Sequence, residues 1–579
     1  MRRMIEHARR LVGLSCPVAL AATLLIPAQS AQAAGSSLDP FNANFTLTRV
    51  DGDKSGLINS VENAGVTKAS VTDVIGQHTG SPSLCHGTGL NGALKYDGFC
   101  WDDADDRTGY TDTDSSGTLV GGWMPQGFSG SHDATDDGLY DGRHLYVASW
   151  YFGKYANNLP NEQYARVSII QSTGGSMTYG HVALVEPTDG NFTNLRYTSH
   201  EDGIAWYGDR LFVANGAELQ VYDLSHLWRM TDPSGAGTGL VAGQSSARYH
   251  QWALPLVARY TTKAGATPDT DAAPFRNNDP RACQPADTTG ELCLSSLSID
   301  RSGGSPVLVS VENIKAAGGR IVRWPLSQFD SGLPTQVSSE TTGYTTPVFN
   351  VQGTVTDGGA YYMSGDCPTD SSGASAWPSG YSCIHEATPG QAPHVLTQSP
   401  YLTESLSYDH NAGRLWGLNE ALEDQTVGPR RVVFSIDPHA GQAVDGYGWL
   451  SNFTKPGFTC ATPQGDGTAN GTPVTVYHCT GAASQRWAYS GGRIVNQASG
   501  KCLTPQGDAA GTNGTLLTLW TCNTSASSQL FSSLNGATVS SAGLAITPKG
   551  NSLADGTWLT LWTQSNPTAD VQKWSVGGF

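Results

Sequence analysis

Cys460-Ala461-Thr462-Pro463 leads to Gln485-Arg486-Trp487, Cys502-Leu503-Thr504-Pro505 leads to Gln529-Leu530-Phe531, and Ala545-Ile546-Thr547-Pro548 leads to Gln572-Lys573-Trp574. The three segments align with a period of roughly forty residues, so one structural unit is used three times, each copy too small to bury its apolar face alone. Every unit runs through a Thr-Pro turn, a Gly-rich turn, Asn-Gly-Thr or Asp-Gly-Thr, a strand ending in an aromatic, and Gln-x-aromatic. Residues 472–478, 515–521 and 557–563 alternate apolar with small polar side chains, as half-buried strands do. The trailing Trp487, Phe531 and Trp574 are expected to meet at a pseudo-threefold axis. Where the first two units carry a cysteine pair, the third has Ala545 and Gln564. Both partners are lost together, as a real bridge requires, because one orphan thiol would be reactive.

Gln-x-Trp closing three such repeats resembles the ricin-type β-trefoil lectin family, over about a fifth of the chain. The resemblance implies a shallow glycan pocket per repeat, where an aromatic face stacks on the sugar and carboxylate or amide groups take its hydroxyls. On that basis the saccharide-binding candidates are Tyr477, Gln485 and Asp466 in the first unit, Trp520, Gln529 and Asp508 in the second, and Trp562 and Gln572 in the third. The family's usual Asp after the Cys-x pair is replaced by Thr462, Thr504 and Thr547, and its Asn before the glutamine by Ser484, Ser528 and Val571. A charged acceptor contributes roughly 1.5–3 kcal/mol and a neutral one about 1. Single sugars should therefore bind weakly, and three linked weak sites favour a polymer. The alternative is a structural or protein-docking module, since fold alone does not settle function.

At the other end, Arg2-Arg3 and Arg9-Arg10 precede an apolar stretch over residues 11–26 and then Ala31-Gln32-Ala33, the pattern of a secretory signal cleaved near Ala34. Beyond Cys16 the ten remaining cysteines fall as close neighbours: Cys85-Cys100, Cys283-Cys293, Cys367-Cys383, Cys460-Cys479 and Cys502-Cys522. Short loops closed by disulfides suit an oxidising compartment, so a secreted, extracellular protein with no membrane anchor after signal removal is expected. Sixty-nine Gly and 30 Pro with only 14% charged residues favour an all-β chain. The formal net charge of −17 argues against nucleic acid as a partner, because that binding neutralises phosphates with basic side chains.

Between residues 121 and 450 a looser repeat of strand, tight Gly/Asp turn and strand appears, as in Ile204-Ala205-Trp206-Tyr207-Gly208-Asp209-Arg210-Leu211-Phe212-Val213 and Leu406-Ser407-Tyr408-Asp409-His410-Asn411-Ala412-Gly413-Arg414-Leu415-Trp416. This reads as a β-propeller of five or six blades, with a β-sandwich as the rival. It loosely resembles secreted bacterial propellers of unassigned activity. The expected organisation is a signal at 1–33, an N-terminal segment at 34–120, the propeller at 121–450 and the trefoil at 455–579, without a long Ser/Gly linker before the last.

Candidate catalytic groups stand where inner strands begin: His200, Glu201 and Asp202 ahead of Ile204, and Glu404 ahead of Leu406. Two carboxylates facing one cavity could hydrolyse a glycoside, or hold calcium as in a lactonase; solvated rim residues are the plain alternative. No Glu is followed by Gly, so the Glu-Gly-Pro motif of five-bladed glycosidases is missing. Asp51, Asp53, Ser55, Leu57 and Glu62 match the ligand positions of an EF-hand loop, with Gly56 at its turn, so calcium is the one cofactor expected; an Asx-rich turn is the alternative. A second such loop begins at Asp112 but has Trp123 where the closing Glu should be. Three functions follow: a secreted lectin anchoring a propeller to polysaccharide, a propeller hydrolase with an appended lectin module, and an extracellular docking scaffold.

Overall fold

The computed structural model describes residues 37–107, 112–113, 117–154, 164–270, 291–314, 319–368, 381–421, 431–440, 447–452, 459–534 and 537–576. The expected signal at 1–33, Cys283 and residues 114–116 of the incomplete second loop lie outside the described residues. The fold is all-β apart from three short α-helices among those residues.

Five blades are present among the described residues. Each is built on a hydrogen-bonded meander starting at an inner strand: Leu119–Gly130, Gly203–Tyr207, Ser298–Asp300, Gly353–Asp357 and Thr403–Asp409. These five strands pack in a ring, the last returning to the first. Tight hairpins follow from local chemistry: Tyr207 pairs with Arg210 across a two-residue turn whose Gly208 takes φ +57°, a left-handed value that suits the twist of the flanking strands.

Residues from the N-terminal segment complete three blades. Asp39–Asn42 adds to the outer edge of the third, Thr46–Val50 pairs with Trp252–Thr261 of the second, and Asp97–Cys100 forms the outermost strand of the fifth. Outer edges that would otherwise expose unpaired backbone groups are thereby covered. The Cys85–Cys100 and Cys367–Cys383 bridges are formed.

The C-terminal unit is a β-trefoil. Its first strand is Gly448–Asn452, which pairs with Trp574–Val576, so the two ends of the trefoil meet. Trp487, Phe531 and Trp574 are all buried with Ile494, Leu519 and Leu561 in one core. The three units are tied head to tail: Asn470 bonds Thr521, Asn513 bonds Thr563, and Asp555 bonds His478, which closes the ring. Disulfides Cys460–Cys479 and Cys502–Cys522 brace the first two units. In the third, the Gln564 amide donates to the Leu534 carbonyl at 2.9 Å and to Thr568 Oγ1 at 2.8 Å.

The trefoil abuts the propeller. Trp449, Cys460 and Cys479 share one apolar cluster with Leu90, Val355, Tyr362 and Leu406, and Arg486 donates to the Ala440 carbonyl at 3.0 Å.

Candidate functional site

Tyr477, Trp520 and Trp562 close their strands with rings 39%, 49% and 45% exposed. Two of the three rings lean on a neighbouring unit. A Cβ on Gly471 of the first unit would stand 3.6 Å from Trp520 of the second, and one on Gly514 would stand 3.8 Å from Trp562 of the third. The first unit's Tyr477 precedes His478, which is bonded at 2.7 Å by Asp555 of the third. The rings are thus presented at seams between units.

Asp466 and Asp508 are exposed and take φ +55° and +59°, each accepting a hydrogen bond from Ser484 at 2.5 Å or Ser528 at 2.6 Å. The third unit has Asn551 and Val571 at those places, so both members of the pair change together. Within one unit ring and carboxylate do not converge: Tyr477 pairs with Cys460, whereas Asp466 follows the far end of the hairpin at Pro463, roughly 10 Å away along the strand.

The structure corrects the role expected of Gln485, Gln529 and Gln572. All three are buried, and each Nε2 donates at 3.0 Å to Thr462, Thr504 or Thr547 and also to a backbone carbonyl. Each Oε1 accepts a backbone N–H, from Thr480, Asn523 or Ser565. These amides are fully engaged in holding the hairpins, and none is left to receive a sugar hydroxyl. The threonines in place of the family's Asp are their partners.

At the mouth of the propeller where the inner strands begin, the expected carboxylates separate into two groups. Glu201, at φ +60°, is wholly buried in the second blade, accepts from Ser199 and lies near Glu218. Burial pushes its carboxyl well up. Glu404 lies instead beside Glu420 and Asp202, with Oε1 buried and unpartnered. Glu420 accepts from the Tyr151 hydroxyl at 2.6 Å, the Tyr151 ring stacks on His200 at 4.0 Å, and His200 Nδ1 meets Asp202 Oδ1 at 2.7 Å. Glu404 therefore has a carboxylate neighbour that the sequence reading did not name. Glu420 could have drawn notice as an acidic residue directly after a strand ending in Asn419, a weak signal.

Burial, with the Glu420 charge adding to it, raises the Glu404 carboxyl well above its ordinary 4.5. A raised acid leaves stability intact below the unfolded value and loses it as pH rises through the folded one. Glu404→Gln is expected to match the parent at about pH 4 and to be more stable by on the order of 1 kcal/mol at about pH 9. Urea midpoints at the two pH values check this, and equal midpoints in alkali would refute it.

The expected calcium loop is also corrected. Helix Ser55–Asn63 takes up Ser55 and Leu57, and Asp53 Oδ1 accepts the Ser55 N–H at 2.8 Å. Asp51 Oδ2 is surrounded by Lys54, Arg196 and Arg259 at 2.9, 3.2 and 3.3 Å. Glu62 faces His226 at 2.7 Å, Trp228 at 3.2 Å and Lys68 at 3.3 Å. Ligands held by cations and turned apart do not form a cage for Ca²⁺.

Near the same mouth a cleft of about 590 Å³ opens beside the first and fifth blades, lined among others by Trp123, Arg166, His181, Arg248, His250 and Arg431. None of these was singled out from the sequence as a site residue, because they come from separate strands and turns.

Fold and exposed rings together define a five-bladed propeller joined to a threefold module with an outward aromatic at the equivalent place in each unit, Tyr489 and Trp558 being exposed besides. The model of the "Ricin-type beta-trefoil lectin domain" family matches residues 448–575, so the C-terminal part of this chain is a ricin-type β-trefoil lectin domain, which supports carbohydrate binding. The "Probable lipoprotein EnvE" of Salmonella typhimurium is 43% identical over 47 residues, 8% of this chain and 27% of that protein; the chain thus spans about a quarter of the length of the curated relative it matches. An exo-beta-1,3-galactanase from Clostridium thermocellum is similar over 81% of this chain and 98% of its own, at 13% identity and a TM-score of 0.25. A GH43_1 enzyme from Xanthomonas citri is similar over 56% and 89%, at 11% identity and 0.28. The designed ThreeFoil protein is similar over 23% and 100%, at 18% identity and 0.20. The propeller reading rests on the strand pairing above, not on these likenesses. The four disulfides formed between described residues suit an oxidising compartment, and no helix among the described residues is long and apolar enough to cross a membrane.

Proposed function

We propose that this is a secreted carbohydrate-binding protein whose trefoil anchors the propeller to extracellular polysaccharide. The observation that carries the reading is the exposure of Tyr477, Trp520 and Trp562, one ring per unit, on a domain of the lectin family. Large aromatic surfaces left in water on a closed core mark a binding face. Three such faces on one rigid hub favour a polymer over a free sugar, because after one contact the others bind at high local concentration.

The test is retention of the full chain on insoluble cellulose, chitin and xylan. Tyr477→Ala, Trp520→Ala and Trp562→Ala together should lower affinity for the retained polymer by about a hundredfold. Equal retention of the triple variant defeats the reading, and retention on none of the polymers favours a docking scaffold.

A second reading is that the propeller hydrolyses the polymer it is anchored to. The Glu404–Glu420 pair beside Tyr151 and His200 favours it, since two neighbouring carboxyls, both raised by burial, can divide the acid and base roles of glycoside cleavage. Turnover of chromogenic glycosides or lactones that is lost in Glu420→Gln supports the enzyme; no turnover on any of them leaves the lectin reading alone.

A further inference from the structure

The cleft beside the propeller mouth concentrates positive charge in a chain whose formal net charge is −17. Three guanidiniums reach it from unrelated elements: Arg166 from strand Ala165–Thr173, Arg248 from the turn after strand Gln244–Ala247, and Arg431 from the start of the fifth blade's third strand. Arg166 and Arg431 are 6% and 2% exposed and both stand over the Trp150 ring, at 4.7 and 5.7 Å.

The hydrogen bonds of Arg166 and Arg431 are incomplete. Arg431 donates through Nε to the Glu420 carbonyl and through Nη1 to the Asp105 carbonyl, both at 3.0 Å, while its buried Nη2 has no partner. Arg166 Nη2 meets Asp105 Oδ1 at 2.6 Å, and its buried Nε has no partner. A buried guanidinium donor without an acceptor is costly, and an oxyanion is the group that satisfies it. The acids in the cleft do not supply one. Asp105 is already engaged by Arg166, by the Tyr179 hydroxyl at 2.6 Å and by His181 at 2.9 Å. Burial raises the Asp112 carboxyl against the pull of Arg166 and Arg248, and neither orphaned nitrogen bonds it. Burial, with Arg166 adding to it, holds the Arg431 guanidinium down to about 10, against the pull of Asp105 and Glu420. His78, Asp105 and His181 lie close enough together for a metal, but the occupied carboxylate and the adjacent arginines oppose a cation.

The rim is held in an uncommon backbone conformation. Arg248 and Tyr249 take φ +40° and +63°, both left-handed and neither glycine. Their N–H groups are fastened to the Gly237 and Gly235 carbonyls at 2.9 Å, and His250 Nδ1 lies 2.7 Å from the Arg248 carbonyl. Backbone in sparsely populated regions persists where surrounding bonds over-determine it, and binding sites collect such positions. Here the result is an arginine stacked 3.8 Å over Tyr164, followed by a Tyr249 side chain 64% exposed at the cleft edge.

We propose that this cleft binds an acidic saccharide, with the carboxylate of a uronate unit against Arg431, Arg166 and Arg248 and the sugar face on Trp123 and Tyr249. A planar carboxylate matches the guanidinium fork, the aromatic faces suit sugar C–H surfaces, and the volume is that of a small-ligand site. The saccharide part of the assignment rests on the glycan-binding reading given above; the oxyanion part rests on the arginines.

Calorimetric titration of the full chain with trigalacturonate, with maltotriose as the neutral match and inorganic phosphate as the free oxyanion, tests the proposal. Trigalacturonate should bind the parent and the Tyr477/Trp520/Trp562→Ala protein equally, weaken as salt is added, and lose roughly tenfold or more in affinity in Arg248→Gln and in Arg431→Gln. Arg248→Gln lies at the rim, so it reports even if Arg431→Gln fails to fold. Maltotriose binding equal to that of trigalacturonate, phosphate binding without the saccharide, parent-like affinity in Arg248→Gln, or no trigalacturonate binding each overturns the cleft. Loss of trigalacturonate binding only in the triple aromatic variant also overturns it and returns the ligand to the trefoil. Retention on insoluble polymer scores the trefoil separately.

Discussion

Arg259→Met is expected to destabilise the protein by about 3–5 kcal/mol at neutral pH, the range for breaking a buried ion pair by removing one partner. Arg259 is 1% exposed on strand Trp252–Thr261, which pairs with the first blade through Ser176–Thr188 and with the second through Glu218–Asp223. Its Nε donates to Glu218 at 2.5 Å, and Nη1 and Nη2 donate to Glu186 at 2.9 and 2.6 Å. One guanidinium thus staples two blades. Methionine fills the volume but leaves buried Glu218 without its cation and Glu186 with only Lys54 and Arg196, at 3.7 and 3.4 Å.

The dependence on pH gives the electrostatic origin away. Burial raises the Glu186 carboxyl, yet the hydrogen bonds and charge of Arg259 outweigh it and hold the group at about 2 against an ordinary 4.5. A depressed acid contributes stability that is complete above 4.5 and lost as pH falls toward 2. In the variant the share supplied by Arg259 is gone, and the carboxylates it faced are relieved by protonation. The gap between parent and variant in urea denaturation should therefore be widest near neutrality and close progressively below about pH 4. An equal gap at both ends would assign the loss to packing instead.

Trp487→Ala should cost about 3–5 kcal/mol, whereas Trp487→Phe should cost only about 1 kcal/mol. Trp487 is fully buried at the hub, where its removal leaves a cavity lined by the other two units. The indole also donates to the Ala461 carbonyl at 2.9 Å, the single polar contact that phenylalanine gives up. Phe531 occupies the equivalent place in the second unit at 2% exposure, so the hub already accepts that ring. Thermal melting of the three proteins orders them; an alanine variant melting with the parent would mean that the hub does not depend on this ring.

What a contiguous stretch of chain encodes was readable in advance. The Thr-Pro to Gln-x-aromatic repeat, the Gly-Asp hairpins and the described cysteine pairs, all close in sequence, are local patterns, and each describes neighbours separated by one strand or one turn. The aromatic positions Tyr477, Trp520 and Trp562 were implied by the family resemblance, and their rings are exposed. The buried state of Gln485, Gln529 and Gln572 was not legible, because an amide in a repeat looks the same whether it receives a ligand or staples a hairpin.

Tertiary structure alone decided the rest. Closure of the propeller brings residues 39–42, 46–50 and 97–100 onto blades that begin more than a hundred residues later, and it sets Glu404 beside Glu420 while drawing Glu201 into another blade. It also surrounds Asp51 with arginines, which removes the calcium loop, and gathers Arg166, Arg248 and Arg431 at one cleft. The physical reason is the same in each case. Alternation and turn chemistry are properties of neighbouring residues, whereas the partner of a buried charge is set by how a ring of five sheets closes, and no short stretch of sequence contains that information.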